Sequence, residues 1–149
     1  MGMTDGDKLE AIESMYLRSK KGFPEVPEVT SEQLQALRGD SSVVIVDVRT
    51  PEEQAVSMIE GAITSREFEA TPEKFADKTV VAYCTMGYRS GRYARELQRH
   101  GQRAFNLRGA ILAWTHSNGA LVNTEGSTKV VHVHSPHCDL VAEGYKAIW

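Results

Sequence analysis

The sequence predicts an α/β fold in which a central, mostly parallel β-sheet is flanked by helices on both faces. Two runs rich in β-branched residues, VVIVDV at 43–48 and TVVAY at 79–83, show almost no alternation of polar and apolar residues. Such runs are typical of strands that are covered on both faces. Segments with helical signals separate these runs from each other and from a third strand, RAFNL at 103–107. Strands that alternate with helices along a chain form parallel sheets.

The size and charge of the chain limit its class. Its 149 residues, of which 41% are hydrophobic and 25% charged, suffice for one domain with one core. The formal net charge of −3 gives no general attraction to nucleic acid or to an anionic membrane, so we expect neither as a partner. No apolar run is long enough to span a membrane, and the start, MGMTDGDKLE, lacks a signal-peptide pattern. We therefore expect a cytoplasmic protein, with an organelle as the open alternative. For the oligomeric state, we expect a monomer or a homodimer.

An amphipathic helix and a linker are predicted ahead of the main body. Between residues 8 and 21 apolar side chains recur at helical spacing, at Leu9, Ile12, Met15 and Tyr16. The two prolines of GFPEVPEV then exclude a helix and favour an extended linker. We divide the chain into an N-terminal helix with a proline-containing linker (1–27), a domain (28–122) and a C-terminal extension (123–149).

The domain begins with a short strand and a capped helix. The strand is predicted at 28–29, and Thr30 with Gln33 has the capping-box pattern that opens a helix, which Gly39 ends. The strand at 43–48 follows and is expected to be central in the sheet.

The remaining elements alternate in the same way. Thr50 and Pro51 favour a helix start, and TPEKF at 71–75 repeats that pattern on a shorter scale. After the strand at 79–83, helices are predicted over SGRYARELQRHG at 90–101 and over GAILAWTHSNG at 109–119.

The segment CTMGYRS, residues 84–90, is the strongest functional candidate. Cys84 follows a buried strand, and ligands of parallel sheets usually bind beyond the carboxyl ends of strands. If the loop from Cys84 to Arg89 curls around the thiol, its N–H groups and the following helix form an anion cradle, with Gly87 permitting the turn. Helix N-termini and cations favour a reactive thiolate, and Arg89 supplies a charge that can hold an oxyanion. The alternative is a buried structural cysteine.

A second group of candidates lies near the end of the chain. VVHVHSPHC contains His132, His134, His137 and Cys138. In a strand, His132 and His134 would share one face, which supplies two metal ligands but no closed set, so we favour a solvent-facing strand or tail and no metal. A role of Cys138 as a resolving thiol for Cys84 stays an open hypothesis. Nothing in the spacing brings the two cysteines together.

Three motifs together resemble the single-domain rhodanese-like sulfurtransferases. The loop CTMGYRS, preceded by VVAY, is similar to the family's C-x-x-G-x-R-S active-site loop. The upstream segment VVIVDVRTPEEQAVSMIEGAI resembles the family signature, which is matched here by Asp47, Val48, Arg49, Glu53, Ile59, Gly61, Ala62 and Ile63. The segment FNLRGAILAW at 105–114 resembles the downstream element. The resemblance covers about residues 29–119 and implies a single rhodanese-like domain.

The resemblance also implies a reaction. A cysteine of the family takes a sulfur atom from an anionic donor such as thiosulfate, carries it as a persulfide and passes it to cyanide or a thiol. Carried onto this chain, Cys84 is the catalytic residue and Arg89 the main donor contact, with neither a metal nor an organic cofactor. The rest of the loop is expected to line the substrate site, through Thr85, Met86, Gly87, Tyr88 and Ser90. A protein acceptor is a further option.

Other functions are weighed against sulfur transfer. Cysteine-dependent phosphatases and arsenate reductases resemble a C-x5-R pattern, whereas four residues separate Cys84 from Arg89 here, and a smaller ring suits sulfur better than phosphate. An interaction or sensing module with this fold is the alternative from a different class. Ser57 and Met58 stand where the family commonly has Gly-His, and the loop does not fit the mercaptopyruvate-type form.

Asp47 and Arg49 are candidates for a supporting role. They follow the first buried strand and have the appearance of a charged catalytic pair. Because sulfur transfer requires no carboxylate, we interpret them as a structural hydrogen-bond network.

Overall fold

The computed structural model describes residues 2–149 and has the α/β architecture that the sequence predicts. Its helices are α1 (Asp5–Lys20), α2 (Ser31–Leu37), α3 (Pro51–Val56), α4 (Ser65–Ala70), α5 (Tyr88–Arg99) and α6 (Ala110–His116). Its strands are β1 (Glu28–Val29), β2 (Val43–Asp47), β3 (Met58–Ile59), β4 (Ile63–Thr64), β5 (Thr79–Tyr83), β6 (Ala104–Leu107), β7 (Leu121–Asn123), β8 (Gly126–Thr128), β9 (Val130–His132) and β10 (Lys146–Ile148).

The central sheet has five strands in the order β1-β6-β5-β2-β4, and all its neighbouring strands are parallel. The strand predicted to be central, β2, lies between β5 and β4. Two smaller sheets flank this one: an antiparallel sheet of β3, β7 and β8, and a parallel pair of β9 and β10.

Both faces of the sheet are covered by helices. Successive side chains of a strand point to opposite faces, so each central strand contributes to two hydrophobic clusters. One hydrophobic cluster contains β-strand residues together with side chains from α1, α2 and α6, namely Ile45, Val81, Tyr83, Ile12, Leu34 and Trp114. The cluster on the other face joins alternate strand residues to α4 and α5, namely Val44, Val46, Val80, Ala82, Phe68 and Ala94. The prediction of strands buried on both faces is therefore confirmed.

Capping explains where several helices begin. Thr30 with Gln33 and Thr50 with Glu53 each form the reciprocal hydrogen bonds of a capping box. The shorter repeat of this arrangement predicted at 71–75 is a single 3₁₀ turn, Pro72–Phe75, with Thr71 at its N-cap position and the proline and Glu73 in its first turn, but the Thr71 side chain makes no capping hydrogen bond. The helix predicted to begin at residue 90 begins two residues earlier, so part of the expected active-site loop is the first turn of α5.

The terminal segments pack against the domain. In α1, Ile12 and Tyr16 are buried in contact with the core. In the C-terminal extension, Val131 and Val133 are fully buried in the first cluster. The predicted boundary between 122 and 123 falls inside β7.

In the described part of the chain, residues 2–149, no helix combines the length and the apolar character needed to cross a membrane.

Candidate active site

Cys84 lies directly after β5, the middle strand of the sheet. The carbonyl oxygens of Cys84 and Thr85 accept hydrogen bonds from the backbone N–H groups of Ile111 and Leu112, both at 3.2 Å. These donors belong to the first turn of α6, where N–H groups have no partner within the helix. The loop is therefore attached to α6 through its own backbone.

Two donors converge on the sulfur atom. The N–H of Gly87 donates to Cys84 Sγ at 3.2 Å, and the Ser90 hydroxyl lies 3.3 Å from the same atom. Gly87 adopts a φ of +129°, which only glycine reaches without strain, and here the loop turns into α5. The sequence predicted several N–H groups around the thiol, whereas among residues 2–149 one amide and one hydroxyl contact the sulfur. Cys84 itself is only 2% exposed.

The Ser90 hydroxyl has one hydrogen and two neighbours that accept it. Its oxygen lies 2.7 Å from Asn106 Oδ1, closer than the 3.3 Å to Cys84 Sγ. When the hydrogen points to Asn106, the serine oxygen can accept from a neutral thiol. When the hydrogen turns to Cys84, it stabilises a charged sulfur. Ser90 is therefore suited to both protonation states of the cysteine.

Asn106 is a site residue that the sequence analysis missed. It is fully buried in β6, and its Nδ2 donates to the Gly87 carbonyl at 3.0 Å, which holds the turn of the loop. Its Nδ2 also lies 3.4 Å from the hydroxyl of Tyr16, which donates to Glu28 at 2.5 Å. The signal for Asn106 was an amide within the predicted strand RAFNL, since buried polar groups require partners.

Arg89 forms an ion pair with Glu53. Its two Nη atoms donate to the two carboxylate oxygens of Glu53 at 2.8 and 2.9 Å, and Nη2 also donates to Thr85 Oγ1 at 3.0 Å. Arg89, which the sequence predicts as the contact of an anionic donor, is therefore paired with Glu53 in the structure. Among the described residues, Nε–H and one Nη1–H of Arg89 have no hydrogen-bond partner, and its side chain is 33% exposed.

Glu53 fixes the orientation of this guanidinium. Burial alone would raise the pKa of Glu53, but the hydrogen bonds from Arg89 and Thr50 outweigh it and lower the pKa to about 2. The hydrogen bonds to Glu53 raise the pKa of Arg89, so both groups stay charged. Glu53 was noted in the sequence only as part of the family signature; its place three residues after Thr50 was the available signal.

Asp47 and Arg49 lie in a buried hydrogen-bond network, as we interpreted them from the sequence. Asp47 Oδ2 accepts from Arg49 Nη2 at 2.7 Å and from the Tyr83 hydroxyl at 2.5 Å. Gln54 Nε2 donates to the backbone carbonyls of Asp47 and Arg49, both at 3.1 Å. Because Gln54 follows Glu53 in α3, this network holds the helix that carries the partner of Arg89.

The remaining loop residues lie nearer the surface. The Ser19 hydroxyl of α1 contacts the sulfur of half-buried Met86 at 3.9 Å. Tyr88 is 46% exposed, and the guanidinium of Arg92 lies 5.7 Å from the centre of its ring.

The histidine-rich segment forms no metal site among residues 2–149. The predicted alternation is confirmed, because Val131 and Val133 are buried whereas His132 is partly exposed and His134 exposed, although β9 ends at His132 and His134 adopts a φ of +76°. The two histidines line a cavity of about 470 Å³ together with the start of α3, which includes Glu53. The extension thus packs next to the residues that surround Arg89.

Comparison with known proteins identifies the family. The rhodanese-like domain matches residues 30–117, more than half of the chain. A protein named sulfurtransferase from Allochromatium vinosum is 37% identical over 107 residues, which are 68% of this chain and 99% of that protein. A tRNA sulfurtransferase from Desulfurococcus amylolyticus is 41% identical over 83 residues, which are 54% of this chain and 16% of that longer protein.

A solved structure agrees with the fold. The thiosulfate sulfurtransferase from Pseudomonas aeruginosa superposes with a TM-score of 0.61 at 22% identity, over 76% of this chain and 23% of that one. At this identity the likeness shows the architecture alone. The matched residues, the relatives and the cysteine loop at the end of β5 agree with one another: the chain belongs to the rhodanese-like sulfurtransferase family.

Proposed function

We propose that the protein transfers a sulfane sulfur from an anionic donor such as thiosulfate to cyanide or a thiol, through a persulfide on Cys84. The observation that carries this proposal is the convergence of the Gly87 N–H and the Ser90 hydroxyl on Cys84 Sγ. Hydrogen bonds to the charged form of a group favour that form, so this setting supports a thiolate and equally a charged persulfide.

The reaction has two displacement steps. The Cys84 thiolate attacks the sulfane sulfur of thiosulfate, a new S–S bond forms, and sulfite leaves with the electron pair of the bond that breaks. The acceptor then attacks the outer sulfur of the persulfide, and the electron pair returns to Cys84 as thiolate. No change of overall oxidation state is needed, and the family implies no metal or organic cofactor.

Arg89 is suited to contact the donor from the side. Glu53 holds the guanidinium plane with two hydrogen bonds, and the Arg89 side chain is 33% exposed. An oxyanion can accept from the Nε–H in that plane, which has no hydrogen-bond partner among residues 2–149. Because the charge of Arg89 is balanced by Glu53, we expect it to orient an anionic donor more than to attract one.

The loop also separates this reaction from phosphoryl chemistry. Only residues 85–87 lie between the cysteine and the first residue of α5, and in the described part of the chain a single amide donates to the sulfur. A tetrahedral oxyanion requires several convergent donors, whereas one sulfur atom does not. The relatives named sulfurtransferase support the same choice.

The test is formation of thiocyanate from thiosulfate and cyanide. We expect turnover by the intact chain and none by Cys84→Ser, with thermal melting to verify that the variant folds. Ser57→Ala is a matched control, because the Ser57 hydroxyl is buried without a hydrogen-bond partner among residues 2–149.

Cys84-dependent hydrolysis of an aryl phosphate, without sulfur transfer, would instead support a phosphatase. Partner binding that persists in Cys84→Ser, without turnover by the intact chain, would support an interaction module.

A further inference from the structure

Tyr16 of α1 contacts the active-site loop at two points. A Cβ atom on Gly87 would lie 2.7 Å from the ring of Tyr16, so this ring packs directly against the turn of the loop. The Tyr16 hydroxyl lies 3.4 Å from Asn106 Nδ2, which also donates to the Gly87 carbonyl at 3.0 Å. Tyr16 is fully buried, although α1 lies outside the residues that match the family.

The hydroxyl of Tyr16 has one hydrogen, and Glu28 accepts it. The Tyr16 oxygen lies 2.5 Å from Glu28 Oε2. Burial raises the pKa of Tyr16 and the hydrogen bond to Glu28 raises it further, so the phenol keeps its proton. With this hydrogen directed to Glu28, the Tyr16 oxygen is left as an acceptor for Asn106. Glu28 and Asn106 are register partners in the neighbouring strands β1 and β6, which brings both groups to the same hydroxyl.

Glu28 is held as a carboxylate by two cations. Arg108 Nη1 donates to Glu28 Oε1 at 2.5 Å, and Lys20 Nζ lies 3.3 Å from Oε2. Burial alone would raise the pKa of Glu28, but the hydrogen bonds that it accepts, first from Tyr16 and then from the two cations, outweigh burial and lower the pKa. A fixed negative charge therefore sets the direction of the hydrogen bonds that continue from Tyr16.

Asn106 connects Tyr16 to both donors of the sulfur. Because Nδ2 of Asn106 donates to Gly87 and to Tyr16, its Oδ1 must face Ser90, where it lies 2.7 Å from the hydroxyl oxygen. A rotated amide would place Oδ1 against the Gly87 carbonyl, and two acceptors form no hydrogen bond. The Ser90 hydroxyl and the Gly87 N–H are the groups that contact Cys84 Sγ.

Negative charge develops on Cys84 Sγ when the persulfide is emptied. In the second displacement step the acceptor takes the outer sulfur, and the electron pair of the S–S bond returns to Cys84. Donors that are aimed in advance at the atom on which charge develops lower the barrier of such a step. The placement of the Gly87 N–H and the Ser90 hydroxyl therefore governs how fast the sulfur is released.

We propose that Tyr16 is a positioning residue for sulfur transfer, which acts through Asn106 on the two hydrogen-bond donors to Cys84. By holding the amide in one orientation, Tyr16 keeps these donors aimed at the sulfur while the persulfide is emptied. The inference rests on the proposed function of Cys84 and extends the site to α1.

The experiment measures release of the sulfur in a single turnover. Each protein is loaded with thiosulfate, freed of excess donor and mixed with cyanide, and the formation of thiocyanate is followed. Tyr16→Phe removes the hydroxyl but keeps the buried ring, so Asn106 loses one hydrogen-bond partner. We expect the release rate at saturating cyanide to fall about fivefold, the effect of one hydrogen bond. The cyanide concentration that gives half of this rate should be unchanged, because a fully buried side chain does not contact the acceptor.

Tyr93→Phe is the matched control for this variant. The Tyr93 hydroxyl also donates to a carboxylate, that of Glu69 at 2.6 Å. These two residues belong to α5 and α4 and lie outside the hydrogen bonds that lead to Cys84. Tyr93→Phe should release sulfur at the rate of the intact chain, and thermal melting verifies that both variants fold.

A double variant shows whether Tyr16 acts through the donors. In the Ser90→Ala background one of the two donors is already absent, so Tyr16→Phe should slow release only about twofold there. A loss of the same size in both backgrounds would overturn the proposal, because the Tyr16 hydroxyl would then act independently of Ser90.

The other outcomes separate this proposal from the one on which it rests. Release by Tyr16→Phe at the rate of the intact chain, or an equal loss in Tyr16→Phe and Tyr93→Phe, would overturn the positioning role and leave the persulfide on Cys84 intact. Absence of a persulfide on Cys84 in the intact chain after incubation with thiosulfate would overturn both proposals.

Discussion

Gly87 is the residue at which the backbone turns toward the sulfur, and its lack of a side chain is needed for two reasons. Its φ of +129° is strained for other residues, and a Cβ there would lie 2.7 Å from the ring of Tyr16. For Gly87→Ala we expect a loss of about 1–3 kcal/mol in the free energy of unfolding from the backbone alone, together with slower loading of Cys84. Chemical denaturation and sulfur loading measure the two effects.

Gly61→Ala is the matched control for that variant. Gly61 has a φ of +90°, but a Cβ there meets no atom within 4 Å. It should therefore lose stability through strain alone and load sulfur normally. Equal loading by Gly87→Ala and Gly61→Ala would contradict the role of the Gly87 turn.

Ser90 provides the second donor to the sulfur. For Ser90→Ala we expect loading of Cys84 by thiosulfate to slow about tenfold, since a hydrogen bond to a charged group is worth about 1.5–3 kcal/mol. Single-turnover release of sulfite measures this step. A loading rate equal to that of Ser57→Ala would show that the hydroxyl does not stabilise the charged sulfur.

At the level of elements, α3 and α5 are joined by the Glu53–Arg89 pair, and this contact depends on pH. The pKa of Glu53 falls from an ordinary value of 4.5 to about 2 on folding, so the unfolded chain binds this proton first as the pH decreases. The stabilisation is complete above about pH 4.5 and is lost as the pH falls toward 2. The shift corresponds to on the order of 3 kcal/mol.

Glu53→Gln tests this contact. The variant should be less stable than the intact chain at pH 7, and the difference should shrink as the pH falls from about 4.5 toward 2. Urea unfolding at a series of pH values measures it. A difference that is constant over this range would contradict a charged Glu53 in the folded protein.

The sequence predicted the elements whose signals are local. The β-branched runs gave β2 and β5, and the Thr50–Glu53 pattern gave the start of α3. The start of α5 was misplaced because Tyr88 and Arg89 were assigned to the loop, although a helix can begin directly after Gly87. The very short strands β3 and β4 carry too few residues for a period to be visible.

The contacts within the site were harder to predict than its members. Cys84 and the loop were found from the sequence, but the direction of Arg89 depends on Glu53, which lies 36 positions earlier. Asn106 reaches Gly87 only because β6 pairs with β5. Such contacts follow from the packing of distant segments, for which a single sequence carries no signal.

For the whole molecule, α1 is part of the core although it lies outside the residues that match the family. Ile12 is 3% exposed in the first cluster, and Tyr16 supports the Gly87 turn. We expect Ile12→Ala to lower the free energy of unfolding by about 2–5 kcal/mol. Leu9→Ala, in the same helix but with a side chain that is 44% exposed, should change it by less than about 0.5 kcal/mol. Equal effects of the two variants would mean that α1 is not docked in solution.

The persulfide on Cys84 is tested most directly by the mass of its peptide. The intact chain, incubated with thiosulfate and freed of excess donor, should yield a Cys84 peptide that is one sulfur atom heavier, and cyanide should restore the original mass. An unchanged mass in a folded protein that reacts with alkylating reagents at Cys84 would contradict the account.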